Sequence, residues 1–120
     1  MQKQGPVWQV FGHKKCSDTR KAERFIKERG LPLQKIDLAE RGPSAGELRA
    51  IAALHGMSNL LDRTGERFKS QGLAHALLTE ADIERLLLAQ PGLLKTPIVR
   101  CGARSTVGYA KDVWLSWLAS

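Results

Sequence analysis

The first forty residues carry a strand–helix–strand pattern that leaves few folds open. Residues 7–11, Val-Trp-Gln-Val-Phe, are rich in β-branched and aromatic side chains and read as a strand. Gly12 to Lys15 form a short polar loop. From about Ser17 to Arg29, Ala22, Phe25 and Ile26 recur at helical spacing and give a helix one buried face. Gly30 stands where a helix C-terminal cap is expected, with Pro32 just beyond. Leu33, Ile36 and Leu38 then mark a second strand, around residues 33–38. Two strands joined through a helix this long lie parallel in one sheet, with a right-handed crossover.

The rest of the chain changes character twice. After the turn Arg41-Gly42-Pro43, Ser44-Ala45-Gly46-Glu47 fits a capping box, in which Ser and Glu each satisfy a free backbone N–H. That helix runs to about His55, burying Leu48, Ile51 and Ala52, and stops at Gly56. Residues 58–63 read as a further short helix, and Thr64 to Gly72 is polar and mixed. Thr79-Glu80-Ala81-Asp82 opens another helix, with Ile83, Leu86 and Leu87 on its apolar face and Pro91-Gly92 at its end. Ile98 and Val99 carry the signal of a third strand. Gly102-Ala103-Arg104 is a turn, and Ser105 to Gly108 is a fourth strand, so the pair makes an antiparallel hairpin. A final helix, about 110–119, buries Val113, Trp114 and Trp117 or Leu118; Trp8 and Trp114 read as core. The order β-α-β, helices, β-β-α predicts an α/β chain of thioredoxin-like fold with a four-stranded mixed sheet. It predicts one domain over 1–120 with a helical insertion at about 44–94.

Composition narrows the function classes. The chain has 120 residues and is 42% hydrophobic, enough for a core without staples. No apolar run approaches the roughly 20 residues that span a bilayer. Met1 to Pro6 leads straight into the first strand with no cleavage pattern, so a cytoplasmic location away from the membrane is expected. Two cysteines are too few for a disulfide framework, and with His13, His55 and His75 they show no zinc spacing, so no metal is expected. The net charge is +7, from 19 Lys+Arg against 12 Asp+Glu. The basic residues come in pairs (Lys14-Lys15, Arg20-Lys21, Arg63 with Arg67, Arg100 with Arg104) rather than as a stripe interleaved with aromatics. Direct nucleic-acid binding is therefore not expected. The pairs are either a solvated surface or a field that attracts an anion such as glutathione, an oxyanion or an acidic protein face.

Cys16 stands at the junction of the first loop and the first helix. A helix N-terminus offers free N–H groups and partial positive charge, and Lys14, Lys15 and Arg20 flank the thiol. Both lower a thiol pKa, so a partly exposed, activated nucleophile is expected. The competing assignment is a small buried apolar residue, against which its polar flanks argue. Asp18 either opposes the thiolate or caps the helix, and His13 is either a base or a solvated loop residue.

Several segments in order carry a family likeness. Phe11-Gly12-His13-Lys14-Lys15-Cys16-Ser17-Asp18-Thr19-Arg20-Lys21-Ala22 resembles the nucleophile signature of the ArsC/Spx family of arsenate reductases and regulators. Pro43-Ser44 with Glu47-Leu48, Leu60-Leu61-Asp62-Arg63-Thr64-Gly65, Gln71-Gly72-Leu73, Thr96-Pro97-Ile98-Val99 and Val107-Gly108-Tyr109 match its later segments, over roughly 7–118. The resemblance implies Cys16 as the attacking thiol. It implies three oxyanion-holding arginines where this chain has Asp62, Thr96 and Tyr109. Regulators of the Spx type bind RNA polymerase and switch through Cys-x-x-Cys, where this chain has Cys16-Ser17-Asp18-Thr19. The chain is most similar to a third branch, small ArsC-like proteins that keep the cysteine and lack those arginines. Some are thought to be glutathione-dependent thiol reductases, and others accompany nitrogen-fixation proteins.

On that likeness the expected function is a glutathione-dependent thiol oxidoreductase that uses Cys16 alone. Lys15, Ser17, Asp18, Thr19 and Arg20 form the loop that holds the thiolate. Pro97 takes the place of the fold's cis-proline, and the Thr96 backbone pairs with bound peptide or glutathione. Arg63, with Lys15 and Arg20, is a candidate for glutathione carboxylates. Glutathione is the expected co-substrate, with no bound cofactor, and glutathione or glutaredoxin the expected partner. The alternative is a non-catalytic interaction module with RNA polymerase or a nitrogenase-related protein as partner. True arsenate reduction stands third. Cys101, at the far end of the third strand, is expected to be an isolated half-buried thiol.

Overall fold

In a computed structural model the described residues are 6–119. They form two compact units: one takes in the chain up to Asp37 and from Thr96 onward, the other is Leu38–Lys95.

The first unit holds the whole sheet. Its strands are β1 (Trp8–Gly12), β2 (Leu33–Asp37), β3 (Ile98–Cys101) and β4 (Arg104–Val107), in the order β2-β1-β3-β4. β1 runs parallel to β2, with Trp8 opposite Leu33 and Gly12 opposite Asp37. Helix α1 (Ser17–Glu28) makes the crossover. β3 returns antiparallel to β1, with Trp8 opposite Cys101 and Phe11 opposite Ile98, and β4 completes the hairpin. The sheet is mixed, as the element order predicts.

Alternation on β1 sends Trp8 and Val10 to one face, where they meet Ala22, Phe25 and Ile26 of α1, Val99, and Trp114 of helix α5 (Lys111–Ala119). Tilted aromatic contacts bind this layer: Trp8 with Phe25 at 6.2 Å between ring centroids, and Phe25 with Trp114 at 5.3 Å. The buried Trp114 indole donates to Thr106 Oγ1 at 2.7 Å, so the ring enters the core with its polar atom satisfied.

One expectation for α5 is corrected. Only Trp114 is buried; Val113 is 43% exposed and Leu118 42%. Val113 lies about 100° round the helix from Trp114, which turns it off the sheet. Trp117 is half-buried and packs on Trp8, ring centroids 5.5 Å apart.

The second unit is helical. α2 (Ala45–His55) and α4 (Glu80–Ala89) open with the expected capping boxes. Ser44 Oγ accepts the Glu47 N–H at 3.1 Å, and Glu47 Oε1 accepts the Ser44 N–H at 2.9 Å. Ala52 and Leu86 are half-buried beside the buried Leu48, Ile51, Ile83 and Leu87. The helix expected at 58–63 is a single 3-10 turn, Met57–Leu60. It ends because the Asp62 N–H bonds to the Leu93 carbonyl and the Lys95 N–H to that of Leu60, both at 2.8 Å. Those bonds hold Leu61 extended, opposite Leu94. The polar stretch beyond contains a short helix, α3 (Glu66–Ser70), which buries Phe68. Among the described residues no helix is long and apolar enough to cross a membrane.

Gly12 closes β1 where space is tightest. A Cβ there would stand 2.3 Å from Thr19 Oγ1 and 2.5 Å from Thr19 Cγ2. Gly12→Ala is expected to destabilise by about 1–3 kcal/mol through overpacking against α1. Thr19→Ala relieves the clash, so the double variant should lose less than the sum of the singles. Urea denaturation of the four proteins checks this, and strict additivity would refute it.

Candidate functional site

Cys16 is the N-cap residue of α1, in extended conformation at φ −81° and ψ 116°. Its carbonyl accepts the Arg20 N–H at 3.2 Å. At an N-cap the side chain stands before the free N–H groups of the second and third helical residues, here Asp18 and Thr19. A neutral thiol makes no cap bond with them. A thiolate is the better acceptor for the same two donors.

The loop before the cysteine is tied by its own bonds. The Cys16 N–H donates to the His13 carbonyl at 3.1 Å, and Arg20 Nη1 donates to the Lys14 carbonyl at 2.7 Å. Lys14 Nζ lies 3.9 Å from an Asp37 carboxylate oxygen at the end of β2. His13 thus meets the cysteine through its backbone.

Topology supplies the remaining partner. Gly12 ends β1 and Ile98 begins the antiparallel β3, so the residues just before β3 arrive at the edge from which Cys16 projects. The Thr96–Pro97 peptide is cis, as the resemblance implies. Thr96 Oγ1 donates to Cys16 Sγ at 3.3 Å. Thr19 is 3% exposed, and its hydroxyl oxygen has no hydrogen-bond partner in this resting geometry. Its hydroxyl is free to turn to the sulfur when the thiol ionises, which would satisfy an otherwise costly buried polar group.

The thiol pKa follows from these groups. Partial burial pushes it up, but the Thr19 and Thr96 hydroxyls and the Thr19 and Asp18 backbone N–H groups outweigh that, and the net shift is downward. At Cys101 burial pushes the thiol up, only partly offset by Arg104. Cys101 is half-buried and pairs with Trp8 at the start of β1. Four residues of strand, about 13 Å, separate that end from Gly12.

The candidate residues divide into three groups. Cys16, Asp18, Thr19, Thr96 and Pro97 come together. Asp18 serves through its N–H, and its carboxylate pairs with Lys21 Nζ at 3.8 Å instead of opposing the sulfur. Lys15 on the loop and Ser17 at the start of α1 are exposed, and the Arg20 guanidinium is spent on the Lys14 carbonyl. The lowered pKa comes from neutral hydrogen-bond donors: the helix N–H groups that the sequence pointed to, joined by two hydroxyls, and not the basic side chains it also named. Arg63 belongs to the second unit, where its Nη2 donates to Ser58 Oγ at 2.7 Å. Two contributors escaped sequence reasoning. The Thr96 hydroxyl bonds the sulfur, a role in addition to the backbone one expected of this residue, and Gly12 makes the room for Thr19. A hydroxyl residue directly before the proline was the legible sign of the first.

Because the folded thiolate is favoured, Cys16 should alkylate with iodoacetamide at a lower pH midpoint than Cys101. Thr96→Val is expected to raise that midpoint. The thiolate's contribution to stability is present above the ordinary thiol pKa and is lost as pH falls through the lowered one. Rates measured on Cys101→Ser and Cys16→Ser proteins separate the two thiols, and equal midpoints would refute the assignment.

The family model described as ArsC family matches residues 11–117. The Bacillus subtilis protein YusI is 31% identical over 106 residues, covering 85% of this chain and 90% of that one. An arsenate reductase of Neisseria meningitidis is 28% identical over 109 residues, covering 86% and 91%. Among solved structures, the YffB protein superposes with a TM-score of 0.79 at 29% identity, covering 91% of this chain and 96% of that one. Matched across nearly its whole length, with a helix-capping cysteine beside a cis-proline, the chain belongs to the ArsC family.

Proposed function

We propose that the protein is a thiol oxidoreductase that works through Cys16 alone, with glutathione as the thiol that regenerates it. The observation that carries this reading is the Cys16 sulfur at the head of α1, under the Thr96 hydroxyl and with a lowered pKa. A thiolate at that position attacks one sulfur of a substrate disulfide. The new S–S bond forms as the old one breaks, and the expelled sulfur leaves as a thiolate that takes a proton from water. Glutathione thiolate then attacks the mixed disulfide and releases Cys16. That attack leaves glutathione joined to the substrate's remaining sulfur. A second glutathione thiolate breaks this bond at the glutathione sulfur, forming glutathione disulfide and releasing the substrate sulfur as a thiolate that is protonated, so the substrate gains the two electrons that the two glutathiones lose.

Nothing in the Cys16 setting calls for a second protein thiol. Thr19 stands where a Cys-x-x-Cys motif has its second cysteine, and Cys101 lies at the other end of the sheet. At two of the three positions where arsenate-reducing relatives are expected to have arginine, this chain has Thr96 and Tyr109. Neither carries the fork that binds an oxyanion through two parallel hydrogen bonds. Thr96 instead gives its hydroxyl to the sulfur, a contact suited to a thiolate nucleophile.

Cys16→Ser is expected to abolish the protein's catalysis of reduction of a small mixed disulfide by glutathione, while Cys101→Ser keeps the rate within about twofold, because Cys101 lies at the far end of the strand from Cys16. Incubation with glutathione disulfide should add one glutathione to Cys16, read by intact mass. No adduct at Cys16, or an adduct at Cys101 only, would sink the proposal and point to an interaction module.

A further inference from the structure

The flank of α1 that carries Lys21 borders a shallow polar cleft of about 160 Å3, bounded on its other side by the segment between β4 and α5. Lys21 and Arg24 line it from α1, Arg29 from the residue that caps the end of α1, and Lys111 from the first turn of α5. Against these four cations stands one carboxylate, Glu28. Among the described residues, the side chains of Arg24 and Lys111 have no ion-pair or hydrogen-bond partner.

The walls are held from within. The Arg29 guanidinium stacks 3.8 Å from the Phe25 ring centroid and donates to the Phe25 carbonyl at 3.1 Å. Tyr109 meets Trp114 edge-on at 5.4 Å, and Lys21 Nζ stands 5.7 Å from the Tyr109 ring centroid. Cations concentrated in this way repel one another and attract a complementary anion.

Shape selects the anion. From Lys21 to Arg29 the cations spread along about 12 Å of helix, further than one compact anion reaches. The cleft is shallow and open, so it offers a charged surface to lie along and not an enclosed cavity for a large ligand. An extended chain bearing several carboxylates meets both conditions, and arginine forks bind carboxylates two bonds at a time.

Two contacts link residues that line the cleft to the surroundings of the cysteine. The Gly108 N–H donates to the Pro97 carbonyl at 2.8 Å, so the residue before Tyr109 is bonded to the residue after Thr96, whose hydroxyl meets Cys16. On the other side, Lys21 pairs with Asp18, whose N–H faces the sulfur.

We propose that this cleft docks an acidic segment of a protein whose disulfide exchanges with Cys16. The proposal rests on the thiol-exchange reading above. The acidic segment lies along α1 while the Cys16 thiolate attacks a cysteine sulfur a few residues away. A mixed disulfide forms, and the partner's second sulfur leaves as a thiolate that is then protonated.

Three peptides of equal length test this, each with one cysteine held as a disulfide to nitrothiobenzoate and with glutamates, glutamines or lysines at neighbouring positions. Release of nitrothiobenzoate by the Cys101→Ser protein reports attack by Cys16. At low ionic strength the acidic peptide should react about tenfold faster than the neutral one, an advantage that salt removes. The double variant Arg24→Glu/Lys111→Glu should erase that advantage, with the neutral-peptide and iodoacetamide rates unchanged. Equal rates for the acidic and neutral peptides would overturn the proposal. So would an advantage that survives the double variant, since it would belong to the protein's overall charge.

If Cys16 exchanges with none of the three, the thiol-exchange reading fails, and the cleft is tested by fluorescence anisotropy of the acidic peptide with its cysteine replaced by serine. Binding weakened about tenfold by the double variant would uphold acidic docking. No binding, or equally tight binding of inorganic pyrophosphate, would overturn it.

Discussion

Eighty residues separate Thr96 from Cys16, and the antiparallel pairing of β3 with β1 brings them together. That pairing sets Phe11 opposite Ile98 and Trp8 opposite Cys101. The end of one strand and the start of the other therefore share an edge, and each supplies one half of the site. A slip of one residue would turn every side chain of β3 to the opposite face. Val99 would leave the core it shares with Val10 and Ala22, and Thr96 would leave the sulfur. The register that buries the core is the register that assembles the site.

The electrostatics of Cys16 rest on short-range geometry. Its stabilising donors are two hydroxyls and two backbone N–H groups, none carrying net charge. Such donors act through distance and direction, so they hold a thiolate without depending on ionic strength as exposed cations do. Three of the nearby cations are engaged elsewhere: Arg20 pins the loop, Lys14 pairs with Asp37, and Lys21 pairs with Asp18. This division separates the chemistry from the field. Uncharged donors prepare the nucleophile, and the charged surface along α1 is left to sort what approaches it.

Much of the frame could be read from the chain. The strand at Trp8, the amphipathic α1, both capping boxes and the closing hairpin are local patterns, each fixed by residues a few positions apart. The element boundaries moved by a residue or so, and the misjudged elements failed for non-local reasons. Met57–Leu60 stops short because Asp62 is drawn into a bond with Leu93, more than thirty residues later in the chain. Val113 is apolar yet exposed, because a helix of nine residues seats only its Trp114 face on the sheet.

The sequence by itself determined that Cys16 would stand at the head of a helix, because the loop, the polar flanks and the amphipathic pattern that begins at Ser17 are contiguous. It also determined the mixed sheet, since a strand–helix–strand crossover must be parallel and a tight hairpin antiparallel. Tertiary structure alone brought the Thr96 hydroxyl to the sulfur and seated the Thr19 side chain. Thr96 arrives across the sheet, and Thr19 fits only because Gly12 has no side chain. Tertiary structure also gathered Lys21, Arg24, Arg29 and Lys111 around one cleft, from elements at opposite ends of the chain. The physical reason is the same in both cases: hydrogen bonds and charge–charge contacts act over a few ångströms of space, and only folding converts separation in sequence into that distance.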